Sequence, residues 1–354
     1  MLFNPRLIYV CIRYTLIILL DLFTLNKIDI EGMYKIYDRW PEIARESYNK
    51  NLEPLDIRFI NHIIFAGMGG SGALSDIFDS ILSKANVHVN VIKGYLLPKP
   101  TDSNTLVVVT SVSGNTDEAL TVLDSAKKLN CKIIAFSSGG KMQEYCVKNK
   151  IGYRKIPQIH SPRASLIAFL YSMLKVLGPL LSIKIQDIED SISQLENTSK
   201  TINSKNLTGI NPSLDLASWI SGIPVIYYPL GLNAAAIRFK NCIQETAKSH
   251  AIAEDVIEAC HNGIVSWERS SNTKPILLSG WDDNIKTIER WEILKEYFET
   301  NNIDYRQIMS VHGSILSKLV NMIYLLDYAT IYLAVLSGID PSPVKSIDFV
   351  KKRL

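Results

Sequence analysis

The sequence has little with which to build a metal centre or a disulfide framework. Its five cysteines, Cys11, Cys131, Cys146, Cys242 and Cys260, are odd in number and scattered, with no CxxC pair and no Cys/His ligand spacing. Free thiols are expected, and with them a cytoplasmic location; no metal site stands out. One-signed charge is scarce as well. There are 38 Lys and Arg against 35 Asp and Glu, a formal net charge of +3. The nearest thing to a basic run is Lys351-Lys352-Arg353, too little for a nucleic-acid footprint. No nucleic-acid partner is expected, whereas a mildly basic balance suits a small anion.

Long apolar runs are also few, and the N-terminal one is interrupted. Leu7 to Phe23 is strongly apolar, yet Arg13 and Asp21 break it. Each such charge near a bilayer centre costs about 2.5–3.5 kcal/mol. The run is at the short limit for crossing a membrane, and no small-residue cleavage site follows it. Residues 1–32 are read as an apolar extension ahead of the working domain, and three origins stay open. These are a start codon set too early, a membrane-associated helix, or a signal. No membrane contact is expected unless this extension belongs to the native chain. Met33 opens an ordinary amphipathic pattern with Ile36, Tyr37, Trp40, Ile43 and Ala44.

What is present is a long chain of ordinary globular composition. Its 354 residues, 47% hydrophobic and 21% charged, exceed one comfortable core, so two domains are expected. Short apolar runs alternate with helical patterns. Strands are predicted at Ile63–Ala66, Val87–Val91, Leu106–Thr110, Lys132–Ser137 and Gly152–Lys155, with helices at 71–83, 117–129 and 142–148. Such units indicate a parallel sheet covered on both faces. Helices follow at 163–176 and 185–200, then a polar stretch at 203–211 read as a linker. A second α/β pattern has strands at 224–228, 275–279 and 305–309 and helices at 233–249, 291–300 and 315–336. The aromatic residues at 324–332 read as helix core.

Two loops carry the chemical signal. Gly67-Met68-Gly69-Gly70-Ser71-Gly72 lies between a strand and a helix, where free N–H groups and the helix dipole favour an anion. It also fits the GxGxxG dinucleotide pattern, which expects an acid after the next strand for the ribose. That strand ends Val91-Ile92-Lys93-Gly94, without one. The second loop, Thr110-Ser111-Val112-Ser113-Gly114-Asn115-Thr116, offers hydroxyls and a glycine where backbone donors converge. Ordinary helix capping by Ser113 or Thr116 is the plain alternative. So many hydroxyls favour a ring around a phosphate monoester. The pair of loops, GMGGSG then SxSGNT, resembles the sugar isomerase (SIS) domain family, with Val112 where that family usually has an aromatic. The resemblance implies two SIS-type domains, each a parallel sheet flanked by helices in a flavodoxin-like three-layer sandwich, at 33–200 and 201–354, the second with C-terminal helices. It implies phosphate contacts from Gly69, Gly70, Ser71, Ser111, Ser113 and Thr116.

A helix crowded with polar groups follows in the second half: Arg238, Lys240, Asn241, Gln244, Glu245 and Lys248, with Glu254, Glu258, His261 and Asn262 beyond it. Aldose–ketose isomerisation needs a base to move a proton between C1 and C2 and a group to open the ring. A cation helps an enediolate. Chemistry alone leaves Glu245, Glu254 and Glu258 equal. The pattern Lys240-Asn241…Glu245…Lys248, then His261-Asn262, resembles the bifunctional phosphoglucose/phosphomannose isomerase family (two SIS domains). So do the stretches Asp327-Tyr328-Ala329 and Gly338 to Val344 and the terminal Ile347 to Lys351. The resemblance implies Glu245 as the C1/C2 base and His261 as the ring-opening group, reaching the site from a partner subunit in a homodimer. It implies Arg163, in Pro162-Arg163-Ala164-Ser165, as the enediolate stabiliser, and Lys351 as a further active-site cation. His160 is a weaker candidate for substrate contact. The substrate expected is a small phosphosugar, and the enediol route requires no metal or organic cofactor. The rivals are another SIS-domain phosphosugar isomerase or a phosphosugar lyase, a non-catalytic sugar-phosphate sensor, and a dehydrogenase. The sensor is opposed by the lack of a basic recognition helix before Gly67, the dehydrogenase by the missing ribose acid.

Overall fold

Two parallel sheets share one layer of helices, and that sharing decides where a ligand can sit. The structure, a computed structural model, describes residues 20–353; most of the N-terminal apolar run, with Cys11, lies outside them. From Leu20 onward the chain belongs to the folded body. Helix α1 (Leu22–Ile28) is capped by Asp21, whose carboxylate accepts from Thr24 N at 2.7 Å. Leu20 and Leu25 are buried in the main core. Asp29 then accepts from the Met33 and Tyr34 amides and so starts α2 (Met33–Asp38), followed by α3 (Trp40–Tyr48). The part of the 1–32 segment from Leu20 onward is therefore packed structure, tied by these contacts to the domain that opens at Met33.

The first sheet holds β1 (His62–Ala66), β2 (His88–Ile92), β3 (Thr105–Ser111), β4 (Lys132–Ser137) and β5 (Gly152–Lys155). Helices α4 (Gly70–Leu82), α5 (Asp117–Lys128) and α6 (Gly140–Asn149) connect them. Strand order is β2-β1-β3-β4-β5, all parallel, with Phe65 opposite both Val91 and Val108. Helices α7 (Leu166–Leu177), α8 (Ile185–Ile202) and α9 (Pro212–Trp219) lead to the second half. The polar connection before α9 is pinned: Ser204 donates to Asp38 through its amide and its hydroxyl, and Asn211 caps α9. The second sheet runs β7-β6-β8-β9, again parallel. Its members are β6 (Ile223–Tyr228), β7 (Ile252–Asp255), β8 (Thr273–Ser279) and β9 (Arg306–Met309). The helices are α10 (Asn233–Thr246), α11 (Val256–Ala259), α12 (Ile285–Thr300), α13 (Ile315–Leu336) and α14 (Lys345–Lys351).

Strand alternation shows the layering. Leu106 and Val108 face one core together with Ile226, Ile276 and Leu278 of the other sheet. Val107 and Val109 face outward onto α5 and α6, and Val225, Tyr227 and Leu277 face α12. The order is thus helices, sheet, shared helices, sheet, helices. Helix α13 is long and apolar enough to cross a bilayer, but here it is the central core helix, packed on α8, α9 and α10. Its Tyr324, Tyr328 and Tyr332 line up one turn apart, and their hydroxyls donate to Tyr37 O, Asp38 Oδ1 and Ile202 O. In each sheet the order reverses beside the first strand, which opens a crevice at the carboxyl ends of β1 and β3.

Candidate active site

Both glycine and serine loops meet at that crevice. Gly69 has φ +55, a left-handed conformation that suits glycine, and it leads straight into α4. The Ser71 hydroxyl accepts from the Val112 amide at 3.1 Å, which locks one loop to the other. Within the second loop the Ser111 and Thr116 hydroxyls are 2.9 Å apart, and Ser111 Oγ accepts from Gly114 N at 3.1 Å. Ser113 Oγ accepts from Asn115 N at 3.3 Å. Thr116 stands at the N-cap of α5 but makes no side-chain capping bond, and neither does Gly69 at α4. Capping therefore does not account for these hydroxyls, and both helix N-termini keep their pull on an anion.

Next to the loops lies a cavity of about 590 Å³, within the size range of small-molecule sites. Gly69, Gly70 and Ala73 of the α4 start form one wall. The opposite wall is α10, where Arg238, Asn241 and Glu245 fall at helical spacing on one face, with Lys248 just past the helix end. Arg163 lies between them, and Pro343 to Ile347 roof the space. The turn carrying Arg163 packs hard on the glycine loop, since a Cβ on Gly70 would lie 3.1 Å from Pro162 O. Arg163 is 3% exposed and donates from Nη1 to Glu245 Oε1 at 2.6 Å. Its Nη2 donates to the carbonyls of Pro341 and Ser342. Its Nε has no hydrogen-bond partner among the described residues. Lys248 donates to Glu245 O at 2.6 Å and also to Pro341 O. Burial first, then the Arg163 charge, pulls the Lys248 pKa down from its ordinary value.

The three acids that chemistry left equal have different places. Glu245 faces the cavity. Glu254 lies on β7, close against Gly263 and across the strand pair from Tyr227. Glu258 accepts from the Asn262 amide at the surface. Among the other expected residues, Gly69, Gly70, Arg163 and Glu245 share the cavity, with Ser71, Ser111, Ser113 and Thr116 in the adjoining loops. His261 is exposed just after α11 and does not line its own chain's cavity. Lys351 is exposed too, one turn beyond the cavity-lining Ile347 on the same helix face. His160 is half-buried with φ +57, its Nε2 3.7 Å from the Glu31 carboxylate, and it does not line the cavity.

Similarity to known proteins agrees with this arrangement. A model of the bacterial phospho-glucose isomerase C-terminal SIS domain matches residues 210–354. A bifunctional phosphoglucose/phosphomannose isomerase of Caldicellulosiruptor bescii is 33% identical, across 92% of this chain and 98% of that protein. The chain belongs to the bifunctional phosphoglucose/phosphomannose isomerase family. A family member from Aquifex aeolicus is 30% identical, across 92% of this chain and 97% of that protein. In fold, a hypothetical protein from Thermus thermophilus superposes with a TM-score of 0.70 at 12% identity, across 93% of this chain and 92% of that chain. Membership in this isomerase family leaves Arg238, which lines the cavity, without a stated role. Its signal in the sequence was its place two turns before Glu245 on one helix face, legible once the helix register is known.

Proposed function

We propose that the chain interconverts glucose 6-phosphate, or mannose 6-phosphate, and fructose 6-phosphate through a cis-enediol. The Arg163–Glu245 pair on a cavity walled by the glycine loop is the observation that carries this reading. The loop hydroxyls and helix N-termini hold the phosphate, which does not react. Glu245 takes the proton from C2 of the open-chain aldose. The C2–H electron pair becomes the C1–C2 double bond, and O1 takes up a proton. Return of the carbon proton to C1, with loss of the O2 proton, gives the ketose. Arg163 stabilises the charge that develops on the sugar oxygens. His261 of the partner subunit, with Lys351, assists ring opening, so the working unit is a homodimer. The free thiols of Cys131, Cys146, Cys242 and Cys260 suit a reducing cytoplasm.

A coupled assay on both hexose 6-phosphates tests the reading. Turnover of either to fructose 6-phosphate is expected. Binding without turnover would favour a sugar-phosphate sensor and overturn it.

A further inference from the structure

From the cavity wall at Arg238 into the core runs a buried ion pair that the proposed reaction steps do not use. Arg238 is 3% exposed and Asp327 1%. Asp327 sits midway along α13, whose only other charged residue is Lys318. A charge in such surroundings is costly unless paired. Arg238 donates to Asp327 Oδ2 from Nε at 2.9 Å and from Nη2 at 2.6 Å, and the Tyr37 hydroxyl donates to the same oxygen at 3.0 Å. Burial opposes the Arg238 charge more than any other single influence, but Asp327, with Cys242 and Tyr37, together outweigh it and raise the Arg238 pKa above its ordinary value.

The network does not end in the core. Arg238 Nη2 also donates to the main-chain oxygen of Arg163 at 2.9 Å. The Arg163 turn is thereby held from both sides, by Arg238 at its carbonyl and by the glycine loop under Pro162. From that turn the Arg163 guanidinium reaches Glu245 at 2.6 Å. Arg238 and Glu245 lie two turns apart on one face of α10, so the helix that carries the carboxylate also anchors its partner. A pair serving stability alone is weakly explained, because apolar replacements of buried pairs are often neutral or stabilising.

We propose that the Arg238–Asp327 pair is a positioning unit: it fixes the main chain that presents Arg163 and, through Arg163, aims the Glu245 carboxylate into the cavity. Neither residue of the pair exchanges a proton with substrate. This rests on the isomerase reading above.

The test uses the full chain with Asp327→Asn, Arg238→Lys and Tyr37→Phe. The readouts are kcat and KM for fructose 6-phosphate, the pH profile of kcat, competitive inhibition by inorganic phosphate, and the melting midpoint. A misaimed group can reduce a rate on the order of 10²-fold. Asp327→Asn is expected to lower kcat by up to that factor. KM and phosphate inhibition should hardly move, because the phosphate loops are untouched, while the kcat pH profile should shift. Arg238→Lys should recover part of the rate, since an ammonium can bond the carboxylate or the carbonyl but not fork to both. Should Asp327→Asn not fold, Tyr37→Phe decides, because it removes one donor to Asp327 and leaves the charges; a smaller loss in kcat with the same pH shift is expected. Variants that melt lower but keep wild-type kcat and pH profile would make the pair structural and overturn the proposal. Wild-type protein inactive on both hexose phosphates would instead remove the isomerase reading, and this proposal with it.

Discussion

At the scale of single residues, the site separates groups that hold from groups that react. Ser113 and Thr116 belong to the holding set. Among the described residues their hydroxyls bond only within their own loop, and they leave the α5 N-terminus uncapped by side chains. The double change Ser113→Ala with Thr116→Ala should chiefly raise KM for the hexose phosphate, because the phosphate is bound alike in ground and transition states. Steady-state kinetics reads this directly, and an unchanged KM would remove the loop from the binding site. The sequence marked these hydroxyls through their spacing beside a glycine. Chemistry alone could not rank Glu245 above Glu254 and Glu258, because three carboxylates in one stretch look alike until helix and strand directions separate them; the family resemblance singled out Glu245. Arg238 and Asp327 were harder still. Their partnership joins residues far apart in the chain, and the only local hint was an acid stranded in an apolar helix.

At the scale of elements, long periodic segments were legible, and so was the short edge strand β5, but not every edge strand was. Helix α13 spans Ile315–Leu336, and β4 and β5 span Lys132–Ser137 and Gly152–Lys155, as their patterns predict. Strand β7 went unseen because two of its four residues, Glu254 and Asp255, are acids, which leaves no apolar run to read. Helix α14 was expected only as an unbounded C-terminal helix, because no residue in it is buried. Its role is to roof the cavity, which leaves no core pattern to read. The turn after β3 shows how strictly one element can be specified. Gly114 has φ +71, and a Cβ there would lie 1.9 Å from Gly139 O, the loop before α6. Gly114→Ala should therefore destabilise the fold by more than about 1 kcal/mol. Urea unfolding should show a lower midpoint at an unchanged slope; a midpoint equal to wild type would mean the two loops are not in contact.

At the scale of the whole molecule, the shared helical layer makes the two halves one body. Apolar residues from both sheets and from α1, α2, α3, α4, α7, α10 and α13 belong to one core, although the sequence reads as two domains in succession. Periodicity within an element shows which face is buried, but not which other element covers it. This core and its flanks also hold protons tightly. Burial pushes the Cys146 thiol from an ordinary 9.0 to about 11, and burial pushes the Tyr227 hydroxyl from 10.0 to about 12. Burial, with help from Asp124, does the same for Tyr145. Above pH 9 the unfolded chain loses these protons first, so the native state binds more of them and stability falls with rising pH. The contribution is complete below about pH 9 and lost as pH passes through 11 to 12. Urea midpoints measured from pH 7 to pH 11 should stay level and then decline above pH 9. A midpoint that rises across that upper range would contradict these assignments.

The proton carried by Glu245 is the centre of the account, and isotope exchange follows it directly. Fructose 6-phosphate incubated with the enzyme in heavy water should gain deuterium at C1 and yield aldose labelled at C2, as seen by NMR. Glu245→Gln should still bind the phosphosugar yet abolish this exchange. Deuterium entering at the wild-type rate in Glu245→Gln would show that another group moves the proton, and the assignment of Glu245 would fall.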